Sequence, residues 1–370
     1  MAQHTAQHTA PHATVQDFDP QHHPQQLRHL GPVLGPWERE TAAANARLLT
    51  IESSAGTITG AALLTARSTG SYVKIAGMLA LDAPTGEQVI RAVLNYAHQQ
   101  DLACVKWENW TQDPTLAALA EQTGFQALPA PRCAMDDPAS SPRAGYVQWL
   151  HPASYLRTSH YQQSENFTCA AVAALAAHGE TTSIAALDDL RTSELVLWRQ
   201  ATNFMACEPI GLGLAVAERW PETSVTVSLD TDKPVIVDYY PEAERSWRGI
   251  LQAESRRRAE TTGLPLATTR LEITQIREAV SNGARVLLLV SLQQMLGFDV
   301  PHWVLCHGTA GSAENPVLVL EDSWVNDRSG ETWVDVTCLS VPIQELDTMS
   351  CLEADGYRAA LILTARNTST

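Results

Sequence analysis

Between Leu128 and Tyr146, the prolines at 129, 131, 138 and 142, with Ser140 and Ser141 among them, interrupt every apolar periodicity. Each proline fixes φ and removes an amide donor, so neither a helix nor a central strand is expected to run through the stretch. The 370-residue chain is thereby divided in two, and with 45% of its residues apolar each part has material for a core of its own. The reading is a tail over 1–15, a first domain over 16–130, a Pro-rich linker over 131–150 and a second domain over 151–366.

The tail is rich in His, Gln, Ala and Pro and carries a duplicated Ala-Gln-His-Thr, a composition of disordered segments. His4, His8, His12, His22 and His23 have no spacing that fixes a ligand geometry, so the tail is read as solvated and no metal is expected. In the first domain, Arg47–Ile51, Thr59–Thr65 and Tyr72–Leu81 predict a three-stranded meander. A helix over 86–100 follows on Val89, Ile90, Val93, Leu94 and Ala97, then a strand over Ala103–Trp107 and a helix near 115–123 ending at Gly124.

The second domain opens with predicted helices over Cys169–His178, Ser183–Asn203 and Pro209–Trp220. Strands are then predicted at Val225–Val227, Val235–Tyr239, Val286–Leu292, His302–Cys306, Val317–Leu320, Trp333–Val336 and Ala359–Leu363, with helices near 241–260 and 273–282. Helices first and sheet later is an α+β layout.

Forty-one acidic against 25 basic residues give a net charge of −16. That charge repels nucleic acid and acidic membrane surfaces, and neither is expected as a partner. The seven cysteines are scattered, without a Cys-x-x-Cys pair, so neither a disulfide framework nor a zinc knuckle is suggested. No secretory start and no apolar run near the ~20 residues of a bilayer span is present, and a cytoplasmic, soluble protein with reduced thiols is expected.

Four separated stretches would assemble one thiol site if the fold brought them together. Cys169 stands where a loop becomes a helix, with Thr168 as a cap; the helix dipole and the unpaired first-turn amides there favour a thiolate. Six residues upstream, Gln163, with Gln162 as the alternative, can aim a side-chain amide at the oxygen that the Cys169 amide would bind. His302 opens an apolar strand after Pro301 and is the candidate base, with His307 the alternative. Asp322, with Glu321 competing for the role, follows the next strand and can hold the second imidazole nitrogen, while Trp324 can shield that bond from water.

The order Gln163, five residues, Cys169, a helix, then His302-Trp303 on a strand and Asp322-Ser323-Trp324 resembles the papain-like cysteine peptidases. In that superfamily Gln supports the oxyanion hole, Cys is the nucleophile, His the base, and an Asn or Asp orients the His. Tyr161 to Leu175, Trp198-Arg199, Pro209-Ile210-Gly211-Leu212 and Pro301 to Gly308 look most like its bacteriocin-processing, double-glycine-leader type in stand-alone form, over about residues 152–366. Where that type has Cys-Gly-Pro-Ala this chain has Cys169-Ala170-Ala171, which changes the helix entry and narrows the space beside the sulfur. Trp198, Arg199 and Trp247 are candidates for the cleft wall.

Residues 45–127 resemble the core of the GNAT acetyltransferases, down to the Gly124-Phe125 ending. That family binds the pyrophosphate of acetyl-CoA on backbone amides of an Arg/Gln-x-x-Gly-x-Gly/Ala loop. Here the loop reads Asp82-Ala83-Pro84-Thr85-Gly86-Glu87-Gln88-Val89, with Glu87 where a phosphate would sit, so acetyl-CoA is not expected to bind and the domain is read as degenerate. Glu108 and Trp110 are its possible pocket residues. Three functions fit the whole: a thiol-dependent amide or peptide hydrolase working through an acyl-enzyme, an acyl or peptidyl transferase using the same intermediate, and a non-catalytic binding module. The expected partner is a peptide or small amide substrate, with a carrier protein or precursor peptide as acyl donor, and no cofactor is required.

Overall fold

The computed structural model describes residues 12–32, 35–37, 46–111, 114–132, 141–202 and 204–366. Among them, the first sheet holds β1 (His12–Asp17), β2 (Arg47–Glu52), β3 (Ile58–Thr65), β4 (Tyr72–Ala80), β5 (Cys104–Asn109), β6 (Gln126–Ala127) and β7 (Ala144–Trp149). Their order is β1-β2-β3-β4-β5-β7-β6, antiparallel except for β4 against β5. That parallel pair needs a crossover, and the helix Ala83–Gln99 supplies it. Its apolar face (Val89, Ile90, Val93, Ala97) packs with Leu49, Leu64, Ile75 and Trp107, while Leu27, Leu30 and Trp37 cover the other face through Leu48, Leu63 and Ala76.

The second sheet holds β8 (Ser154–Tyr155), β9 (Thr223–Leu229), β10 (Leu266–Ala267), β11 (Arg285–Ser291), β12 (Pro301–Gly311), β13 (Pro316–Glu321), β14 (Leu339–Pro342) and β15 (Ala359–Ala365). The order is β10-β9-β15-β11-β12-β13-β14, with β8 on the far end of β12. A Cβ at Gly308 would stand 2.4 Å from that of Tyr155, so only glycine lets β8 approach there. Along β11 and β12 side chains alternate between two cores. Leu287, Leu289, Trp303 and Leu305 face the buried helices Cys169–Ala177 and Pro209–Arg219. Val286, Leu288, Val290, Val304 and Cys306 face the opposite layer. The α+β layout is the one the residue pattern predicts.

Several expectations are corrected. The second core is not private to the second unit: Tyr72, Cys104 and Val147 of the first sheet pack in it with Val304 and Val319. The tail over 1–15 is interrupted by β1, whose residues 12–17 pair along the edge of β2; residues 1–11 lie outside the described residues. Within the linker read over 131–150, residues 133–140 lie outside the description, but Ala144–Trp149 form β7, hydrogen-bonded between β5 and β6. The helix read over Ser183–Asn203 is two, Glu180–Ser183 and Leu187–Ala201.

Val235–Tyr239 is not a strand. Ile236 has φ of 57°, which breaks an extended run. Side chains take the place of a neighbouring strand: Gln252 bonds both backbone groups of Val235, and Glu353 accepts from the amides of Val237 and Asp238. Trp333–Val336 is a helical turn, closed by a box in which Thr332 accepts from the Val334 amide and Asp335 accepts from the Thr332 amide.

Candidate active site

Cys169 is the first residue of the helix Cys169–Ala177, with its side chain buried in the core beneath β12. As the first helical residue its amide has no intrahelical acceptor. Contrary to the expectation from the sequence, Thr168 makes no side-chain cap to that helix; its hydroxyl donates to the Glu165 carbonyl at 3.0 Å and to Glu194. Glu194, fully buried on the helix Leu187–Ala201, also accepts from Tyr161 Oη at 2.6 Å and from the Ser164 amide at 2.8 Å. One carboxylate thus fixes the loop that delivers the cysteine. Sequence reasoning missed it, because its partners lie 26 to 33 residues away.

His302 enters from the start of β12, opposite Val290. Its Nε2 is 2.7 Å from Asp322 Oδ1. The Trp303 amide, next in the chain, donates to the sulfur of Cys169 at 3.5 Å. Burial disfavours an imidazolium here, but the Asp322 carboxylate and the Cys169 sulfur outweigh it and the His302 pKa is pushed up to about 10. Burial likewise works against the Asp322 carboxylate; His302 and the Arg67 guanidinium prevail and hold it below the usual carboxylate range.

Asp322 follows β13 and is fully buried. Its Oδ1 also accepts from the Trp324 amide at 2.8 Å, and its Oδ2 lies 2.7 Å from Arg67 Nη1. Arg67 comes from the loop between β3 and β4, in the first sheet, and nothing local in the sequence marks it.

Gln163 is buried and Gln162 exposed, which separates the two alternatives. The Gln163 side chain is held at both ends: its Oε1 accepts from Ser323 Oγ at 2.8 Å and its Nε2 donates to the Glu165 carbonyl at 2.8 Å. One amide hydrogen remains for another acceptor. Ser323, between Asp322 and Trp324, therefore ties the glutamine to the segment that carries the acid.

Of the competing residues, Glu321 is engaged elsewhere. Glu321 pairs with Nδ1 of His160 at 2.8 Å, and burial raises its pKa. His307, at the bulge of β12, is buried, and burial pushes its pKa down to about 4, so it stays neutral. Among the described residues neither of its ring nitrogens has a hydrogen-bond partner. Trp198 packs at a tilt against Phe167, two residues before Cys169, and donates to the Met205 carbonyl; Arg199 lines a depression with Glu208 and Arg248, and Trp247 packs on Phe204.

In the first sheet, Glu108 is not a pocket residue. It is buried against Lys74 Nζ at 2.5 Å and Thr332 Oγ1 at 2.5 Å, while Trp110 Nε1 donates to Ala76 O at 3.1 Å and to Glu108 Oε2 at 3.0 Å. Where the GNAT resemblance would place a pyrophosphate, the helix Ala83–Gln99 begins. Asp82 caps the helix, accepting from the Thr85 amide at 2.8 Å and its hydroxyl at 2.6 Å, which sets a carboxylate at the helix start. Among the described residues no group of three or more His, Cys, Asp or Glu is placed to hold a metal, and no helix is long and apolar enough to cross a membrane. His22 and His23 both bond Asp19, His4 and His8 lie outside the described residues, and nothing is described of the His12 side chain.

Solved structures similar to part of the chain include one described as an acyl-CoA N-acyltransferase from Klebsiella pneumoniae, at 18% identity, covering 37% of this chain and 97% of that one, with a TM-score of 0.29. A GNAT-family acetyltransferase from Staphylococcus aureus matches at 10% identity over 38% of this chain and 99% of that one, TM-score 0.27. An IAA acetyltransferase from Bacillus cereus matches at 10% over 38% and 100%, TM-score 0.28. No curated protein matches the chain. The Peptidase_C39 like family matches residues 158–364, more than half of the chain and all four residues of the thiol constellation, and the chain belongs to that family.

Proposed function

We propose that the protein is a thiol-dependent amide or peptide hydrolase of the papain-like kind, in which Cys169, His302 and Asp322 act together and Gln163 supports the oxyanion. The observation that carries the reading is that the start of one strand meets both the acid and the cysteine: Nε2 of His302 is on Asp322 at 2.7 Å, and the amide of the next residue, Trp303, is on the Cys169 sulfur at 3.5 Å. A buried imidazolium between a carboxylate and a sulfur is the resting form of a thiolate nucleophile. The sulfur attacks the carbonyl carbon of an amide, forming C–S as the C=O pair moves to oxygen. The Cys169 amide and the free hydrogen of the Gln163 amide receive that oxyanion. Collapse breaks the C–N bond, and His302 gives its proton to the departing amine. Water then attacks the thioester while His302, now neutral, takes its proton; the acid leaves and the ion pair is restored.

Asp322 keeps the ring in one orientation throughout and stabilises its charge. Within the family the finer reading is the leader-processing type, with a precursor peptide cut after its leader; the local segments around Cys169 and His302 support it. Incubation with a peptide thioester and mass spectrometry of the intact chain tests the proposal. A mass gain of one acyl group, localised to Cys169 and missing in C169A, is expected. An unmodified Cys169 with acyl groups on other thiols contradicts it. Added amines distinguish hydrolysis from transfer, since only a transferase converts the trapped acyl group to amide.

A further inference from the structure

The thiol site is built from two units of the chain. Resting on the thiolate reading above, we propose that Arg67, from the first sheet, is a positioning residue of that site: it fixes and keeps ionised the carboxylate that orients His302, so that residues 158–364 alone would hold an incomplete centre.

The geometry is that of a fork used on all its edges. Arg67 Nη1 donates to Asp322 Oδ2 at 2.7 Å and Nη2 to the Trp324 carbonyl at 3.1 Å. Nε and Nη2 grip the two oxygens of Glu331 at 2.6 and 2.8 Å. Side-chain exposure is 1% at Arg67 and 0% at Asp322, so no solvent screens the pair. The planar guanidinium makes these four hydrogen bonds to three residues in one plane and grips Glu331 with two of them, a fork that the three rotatable protons of an ammonium do not reproduce. The two oxygens of Asp322 are divided between units: Oδ1 meets His302 and the Trp324 amide, and Oδ2 meets Arg67. Without Arg67 that second oxygen is buried without a cation, and its burial would raise the acid toward its neutral form.

The arginine is itself held in place before any substrate arrives. Its carbonyl accepts from the Gly70 amide at 3.0 Å and its amide donates to Tyr72 Oη at 3.2 Å, closing the loop on itself. Tyr72 Oη in turn donates to Asp335 at 2.8 Å, and the Ser71 amide and carbonyl bond Ser340 of β14 at 2.8 and 3.0 Å. A Cβ at Gly70 would come within 2.5 Å of the Tyr72 ring, so the loop needs glycine there. Lys106 reaches across as well, donating to the carbonyls of Val334, Asp335 and Thr337 at 2.7 to 3.0 Å. The first sheet thus does for Asp322 what a neighbouring hydrogen-bond partner does for a metal-ligating or catalytic side chain in one domain.

The test is the rate of iodoacetamide alkylation at Cys169, read by peptide mass spectrometry from pH 3 to pH 9, in the full chain and in R67M and R67K. In the wild type the reactive thiolate persists on the acid side. In R67M Asp322 takes up its proton sooner, the imidazolium loses its support, and the acid limb moves up by about one pH unit, the low end of what one opposite charge at this range shifts. Where R67M does not fold, judged by its thermal transition, R67K decides. It retains a buried cation without the fork, and its acid limb moves in the same direction by less. A folded R67M, or in its absence R67K, with the wild-type profile overturns the proposal, because an arginine that only stabilises the fold changes the thermal midpoint and leaves the limb in place. A wild-type Cys169 that reacts like an ordinary thiol overturns the thiolate reading instead, so the two failures are distinguishable.

Discussion

Nε2 of His302 and Oδ1 of Asp322 stand 2.7 Å apart with side-chain exposures of 3% and 0%, across two adjacent antiparallel strands. Each charge favours the other, and the sulfur of Cys169 favours the charge on the ring as well. An ordinary cysteine is only ~0.3% thiolate at pH 6. H302N should therefore slow alkylation of Cys169 at pH 6 by about a hundredfold while leaving exposed Cys351 unchanged. Rates of carbamidomethylation at each cysteine check this.

In the proposed mechanism Gln163 acts at a different step. Its loss should reduce acylation by a thioester by ~10²–10³-fold, the usual effect of removing one oxyanion donor. Alkylation of Cys169, which develops no oxyanion, should stay within about twofold in Q163A. Parallel measurement of the two rates in one preparation separates support of the oxyanion from activation of the sulfur.

Between the sheets, Lys74 is fully buried with carboxylates on both sides, Glu108 at 2.5 Å and Asp335. Burial opposes its charge, but the two acids outweigh it and raise its pKa. K74M leaves both acids without their cation, and a loss of about 3–5 kcal/mol is expected from urea unfolding, as when one partner of a buried pair is removed.

Stability against pH follows from His302 and Asp322. The His302 pKa is raised from 6.5 to about 10 on folding, so its contribution is full below about pH 6.5 and is lost as pH rises through about 10. That of Asp322 is lowered from 3.8, so its contribution is present above about pH 4 and is lost only as pH falls through the lower folded value. The urea midpoint should decline from pH 7 to 10.5 in the wild type, and less steeply in H302N.

Three of the residues proposed for the thiol site can be picked out from the sequence because they stand at element ends: Cys169 begins a helix, His302 is second in a strand and Asp322 follows one. Such ends leave local marks, a change of periodicity or a proline. Arg67 leaves none, since its meaning lies in a partner 255 residues away that only the packing of two sheets brings near. Trp333–Val336 was misread because four residues, three of them apolar, do not separate a period of two from one of 3.6; the Thr332–Asp335 box was the better sign. Val235–Tyr239 has strand-forming side chains, yet Gln252 and Glu353 satisfy its backbone from elements distant in sequence. β1 escaped notice because an edge strand facing solvent needs no apolar alternation.

The charge state of His302 is the centre of the account, and an NMR titration of its imidazole carbons, assigned by difference from H302N, measures it most directly. The ring should remain an imidazolium through neutrality and titrate near pH 10. A titration near 6.5, with the ring neutral at pH 8, would contradict the ion pair and the chemistry built on it.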